Sequence, residues 1–120
     1  MLTISQDQFD ALHAMRRRDF LRGSLAFLRR ERPLWATGRS DEEIEAFLER
    51  TVAFADDHGI AARGQRRRLM LLHVDHGFEP DAYLSMLLRR EGVSEAGRMK
   101  DYAAALTRPN RPRRITLDDL

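Results

Sequence analysis

Three times along this chain a helical pattern ends in a glycine that is followed at once by an apolar residue: His58-Gly59-Ile60, His76-Gly77-Phe78 and Glu91-Gly92-Val93. Glycine enters the left-handed backbone region without a Cβ clash. An apolar residue just beyond it folds back onto the last turn, so each triplet reads as a Schellman-type helix stop. A chain punctuated in this way is cut into helices of modest length. No alternating apolar and polar run competes with them as a strand, and no internal repeat or domain linker interrupts the series.

The helix starts are also written locally. Ser5 with Gln8 and Ser40 with Glu43 have the S-x-x-Q and S-x-x-E form of a capping box, in which side chain and backbone satisfy each other's free amides. Phe9, Leu12, Phe20, Leu25 and Leu28 then give an approximately helical stripe, which predicts a first helix over 5–31 broken by Pro33 and Gly38. In the second helix Ile44, Phe47, Leu48, Thr51, Val52 and Ala55 follow the i, i+3, i+4, i+7, i+8, i+11 spacing of one buried face. A third helix is predicted over 63–75. Pro80 begins a fourth with Tyr83, Leu84, Leu87 and Leu88 facing inward, and Ser94 caps a fifth that buries Met99, Tyr102, Ala103 and Leu106. From Thr107 onward Pro109 and Pro112 oppose regular helix. The expectation is an all-α, compact single-domain bundle of four to five helices over 1–106, with an extended Arg/Pro-rich C-terminal tail over 107–120.

A length of 120 residues suits one domain burying roughly 65% of the surface that its unfolded chain exposes. With no cysteine there is no disulfide, thiolate metal site or thiol catalysis, and the composition fits a reducing compartment. The first twenty residues lack the basic start and continuous apolar core of a signal peptide, and no run approaches a membrane span, so a cytoplasmic location is expected. Lys100 accompanies twenty arginines, but nineteen acids reduce the formal net charge to +2. That near-balance argues against nucleic acid as the main partner.

Candidate chemistry is sparse. His73 and His76, three apart on a helix, would be two metal ligands, but zinc sites converge three or four, and neither His13 nor His58 completes the set. Packing or capping explains them better, with His58 and His76 beside helix-end carbonyls that favour a cation. Glu42, Glu45, Glu49 and Asp56 share one stripe of the second helix, which reads first as a solvated face and second as an acidic docking surface. Ser5, Ser40 and Ser94 are caps rather than nucleophiles, and no hydrolase elbow, zincin motif, phosphate loop or dinucleotide fingerprint occurs. No catalytic residue, cofactor or metal is expected.

Three arginine clusters remain: Arg16 to Arg18, Arg66 to Arg68, and Arg108, Arg111, Arg113 and Arg114. Successive residues on a helix point about 100° apart, so a triplet cannot present three equivalent side chains to one phosphate track. Arg63 and Arg66 near a helix start oppose the macrodipole, which predicts pairing with the acidic side of the second helix or with an acidic partner. Trp35 and Phe78 lie in connections. They either close the core over a loop or, if exposed, anchor an interface.

The order of these motifs resembles that of the small helical accessory proteins encoded beside type VI secretion spike and toxin genes in bacteria. The resemblance spans about residues 3 to 91. It runs from the Leu2-Thr3-Ile4 opening through Leu28-Arg29-Arg30 and Pro33, the Ser40-Asp41-Glu42-Glu43 cap and the Gly59-Ile60 stop, to Leu69-Met70-Leu71-Leu72 and Gly77-Phe78-Glu79-Pro80. The chain departs from that pattern at Ala62-Arg63-Gly64-Gln65, where a polar cap and an acidic residue are expected, and at Tyr83-Leu84, where a Pro-Trp pair is typical. The resemblance implies a non-enzymatic adaptor or chaperone that holds a toxin or spike component before export. An immunity protein neutralising a cognate toxin is the closest alternative, and the arginines alone suggest a helical nucleic-acid-binding regulator as a third. Trp35, Arg66, Arg67, Phe78 and Tyr83 are the candidate partner contacts.

Overall fold

The computed structural model describes residues 5–77 and 82–107, and the described residues are all-α. Six helices succeed one another: α1 (Gln6–Glu31), α2 (Pro33–Ala36), α3 (Asp41–Asp57), α4 (Arg63–His76), α5 (Ala82–Arg89) and α6 (Glu95–Thr107). The count exceeds the four or five expected by α2. That single turn forms because Pro33, with no amide to lose, sits at its first position, and Thr37 closes it by donating from its amide to the Pro33 carbonyl at 2.9 Å. Among the described residues no helix is long and apolar enough to cross a membrane.

Contacts divide the chain into two compact units that meet within α3, between Glu49 and Arg50. In the first unit Ser5 and Gln8 form the complete capping box of α1, and Leu21, Ser24, Leu28, Ala36, Ile44 and Leu48 are buried. Phe47 is only half-buried. Its ring meets Trp35 at 4.9 Å between centroids, and the Arg39 guanidinium lies 4.5 Å over the indole. Two ion pairs join α1 to the antiparallel start of α3: Arg17 to Glu49 at 2.7 Å and Arg29 to Asp41 at 2.6 Å.

The second unit holds the end of α3 together with α4, α5 and α6, and α6 packs against both α4 and α5. Ala55, Ile60, Leu69, Leu84, Leu87, Leu88, Met99, Tyr102 and Leu106 form one hydrophobic cluster. The α3 stripe contributes Ala55 to it, so the cluster centres on α6 and the α5 leucines rather than on Phe47 and its neighbours.

The first predicted stop is present in full. Gly59 has φ 69°, Ile60 donates to the Ala55 carbonyl at 2.8 Å, and Gly59 donates to Asp56 at 3.3 Å, which are the two bonds of a Schellman ending. Gly77 and Gly92 also have positive φ. Phe78 and Pro80 lie outside the described residues, as does the tail beyond Thr107. Thr107 itself is the last residue of α6, its hydroxyl donating back to Ala103 at 2.8 Å.

Candidate protein interface

The helix start that sequence leaves uncapped is capped from elsewhere in the fold. Ala62 occupies the N-cap of α4 with no side-chain acceptor of its own. The Glu95 carboxylate, arriving from the first turn of α6, accepts from the Ala62 amide at 3.1 Å and also from the Ala61 amide. One turn further along α6, Arg98 donates to the carbonyls of His58 at 3.0 Å and Gly59 at 3.2 Å, and to that of Leu88. Glu95 and Arg98 thus place an anion at the start of α4 and a cation at the ends of α3 and α5, the arrangement each helix dipole favours.

Arg66 belongs to the same brace. Its Nε donates to the Ile60 carbonyl at 2.7 Å and its guanidinium pairs with Asp56. This is the pairing with the acidic side of the preceding helix that its position predicts. It leaves the Arg66 side chain 18% exposed, held against the α3–α4 connection. Arg67 is half-buried beside it. Trp35 is half-buried and packs on the Phe47 ring in the first unit.

The histidines are also absorbed. His58 stacks on Phe54 at 4.1 Å between ring centroids, and its Nδ1–H donates to the Phe54 carbonyl at 2.8 Å. Its Nε2 is left facing the Ser85 hydroxyl at 3.4 Å. Burial holds its pKa below the ordinary histidine value; the bond to Phe54 opposes that shift, Arg89 adds to it and Asp57 opposes it. His58 therefore caps the helix as a neutral donor, not as the cation expected from its place before Gly59. His73 is buried and shares a 2.9 Å hydrogen bond with the Tyr102 hydroxyl. Burial pushes it down to about 4, and the neighbouring His58 and Arg50 act in the same direction. His76 is exposed, so the two candidate ligands diverge, and among the described residues no group of three or more His, Cys, Asp or Glu side chains converges.

Among the described residues of the second unit, the large hydrophobic side chains left exposed lie on α5. Leu84, Leu87 and Leu88 turn inward as predicted, but Tyr83 does not: it is 56% exposed, and Met86, three residues on, is 53% exposed. Helix geometry explains the difference. At about 100° per residue the three leucines span roughly 100°, Tyr83 falls about 90° from the centre of that arc, and Met86 lies nearly opposite it. Sequence reasoning passed over Met86, although the same angles would have placed it outward. Beside Tyr83 lies a shallow recess of about 280 Å³ between α5 and α6, lined by Leu87, Arg90, Asp101, Ala104 and Ala105. A tyrosine at a small-residue recess with an arginine at its rim, and a methionine exposed three residues further along the same helix, have the composition of an interface core. Of the five predicted contacts, Tyr83 alone is shown on this face.

Compared with known proteins, the chain matches no family model, no curated protein and no solved structure.

Proposed function

We propose that this chain is a non-enzymatic protein-binding adaptor or chaperone that holds a type VI secretion toxin or spike component before export, and that it binds through the exposed face of α5. The sequence resemblance supplies the biological context. The observation that carries a binding role is the outward pair Tyr83 and Met86, two large side chains more than half exposed on a helix whose other face is fully used by the core. Isolated apolar residues on a surface need no explanation, but two that stand three apart on one helix, the first of them lining a recess, form a patch that a partner desolvates. The polar residues point the same way, since Ser5, Ser40, Ser94, Glu95, Arg98 and Arg66 are engaged in caps and connections.

The test is co-expression with the products of the neighbouring genes, one at a time, followed by affinity capture. A spike or toxin component should co-purify with the natural chain and be lost, by tenfold or more in affinity, on Tyr83→Ala with Met86→Ala. Circular dichroism and melting of that variant should stay unchanged, because neither side chain is in the core. Undiminished capture by the double variant would put the interface elsewhere. Rescue of growth during toxin expression would replace the chaperone role with immunity. Binding of duplex DNA with steep salt dependence, without capture of any neighbouring product, would favour the regulator.

A further inference from the structure

We infer that the groove between α1 and the first half of α3 is a docking site for a helical segment of a partner protein carrying acidic residues along one flank and basic residues along the other. This surface lies wholly within the first unit and uses none of the α5 residues, so either proposal can fail alone.

The groove has a volume of about 480 Å³, inside the roughly 300–1,000 Å³ range of ligand-binding clefts. Leu21 and Ala46 supply its apolar lining, Arg18 and Arg22 one wall and Glu42 and Glu45 the other. The two helices are tied at both ends of this stretch, by Arg17 to Glu49 and by Arg29 to Asp41. From Arg17 to Arg29 the α1 axis advances about 18 Å, a little over three turns. Between those ties, Arg18, Arg22, Glu42 and Glu45 make no ion pair with one another or with any other described residue.

The spacing defines what fits. Arg18 and Arg22 are four apart and Glu42 and Glu45 three apart, so each pair stands one above the other on its own helix. A third helix laid in the groove meets a positive ladder on one side and a negative ladder on the other, with apolar contact between them. It satisfies both when acids four apart face the arginines, bases three or four apart face the glutamates, and an aliphatic stripe runs between. A uniformly acidic or basic segment satisfies one wall and is repelled by the other. Exposed charges of this kind select the partner and its register, while the apolar strip supplies affinity. Arg18 of the α1 triplet and Glu42 and Glu45 of the acidic stripe of α3 then have one shared use.

Three synthetic peptides of about 18 residues, roughly five helical turns, test this. Each carries the same leucine stripe, flanked by glutamate on one side and lysine on the other, by lysine on both, or by glutamate on both. Fluorescence anisotropy with the full chain should show the mixed peptide binding at least tenfold more tightly than either single-sign peptide, and weakening as salt is added. Arg18→Glu with Arg22→Glu makes both walls acidic and should switch preference to the all-lysine peptide. Glu42→Lys with Glu45→Lys should switch it to the all-glutamate peptide. All four positions are exposed, so a cooperative melt should persist, and a switch in preference cannot arise from loss of fold. Equal affinity for the three peptides, or no binding of the mixed one, overturns the inference. So does a monomer–dimer equilibrium abolished by either double variant, which would seat a second copy of this chain in the groove.

Discussion

The Glu95 carboxylate accepts a hydrogen bond from the Ala62 amide at 3.1 Å, capping a helix that begins thirty-three residues earlier in the chain. Ala62 has extended backbone angles suitable for an N-cap but no oxygen to offer the amides of the first turn, and the acid on α6 takes the amide of Ala62 itself, as the glutamate of a capping box does.

Glu95→Ala should therefore destabilise the fold by about 1 kcal/mol, the ordinary value of a lost N-cap. Ala62→Ser supplies an acceptor for the Gly64 and Gln65 amides, which Glu95 does not reach, so it should gain a comparable amount in that variant and in the natural chain. Urea unfolding of the four proteins measures the coupling, and a gain from Ala62→Ser confined to the Glu95→Ala background would show that the two acceptors compete for one amide.

Gly59→Ala should cost about 1–2 kcal/mol, because φ at 69° places an L-residue in the left-handed region. The added Cβ meets Arg98 at 3.6 Å, an ordinary contact, so the loss is conformational rather than steric. Gly59→Asn should cost less than Gly59→Ala, since asparagine tolerates this region better. Thermal melts that ranked the two in the opposite order would contradict the backbone account.

Acidification should loosen the second unit through His73. A histidine whose folded pKa is lowered stays neutral in the fold, while the unfolded chain takes up the proton first. The stability it contributes is whole above pH 6.5 and declines as pH falls from 6.5 toward about 4. Below that the loss from His73 levels off at roughly 3 kcal/mol. His73→Gln should flatten most of the dependence and leave the smaller part due to His58, whose pKa is lowered as well. The measurement is the urea midpoint as a function of pH.

Leu48→Ala should cost about 2–5 kcal/mol, since the side chain is fully buried. Phe47→Ala should cost less than Leu48→Ala despite removing more atoms, because Phe47 is half-exposed where Leu48 is fully buried, and it packs on the half-buried Trp35 ring. A larger loss at Phe47, read from melting curves, would make the aromatic pair the true centre of the first unit.

The residues themselves mark the limits of reading such a chain. Helix starts at Ser5, Ser40 and Ser94 and the stop at Gly59 were legible because each depends on chemistry within about five residues, in which hydrogen bonds close over one turn. The inward faces of α3 and α6 were legible because helical periodicity is local too. Tyr83 was misassigned, since placing it among Leu84, Leu87 and Leu88 ignored the angular width of the core that α5 meets. The one-turn α2 was missed because Pro33 signals a break and a beginning equally well.

By itself, then, the order of amino acids determined that the chain is all-α, where its main helices begin and end, and which stripes of α3 and α6 are buried. Tertiary structure alone decided that Glu95 caps α4, that Arg98 joins the ends of α3 and α5, which acid of α3 holds Arg66, that Tyr83 stays outside, and that contacts divide within α3. Local rules specify a turn because the interacting groups are neighbours in the chain. A cap, an ion pair or a groove between helices depends on which distant surfaces meet, and many pairings share the same local pattern until the packed core selects one.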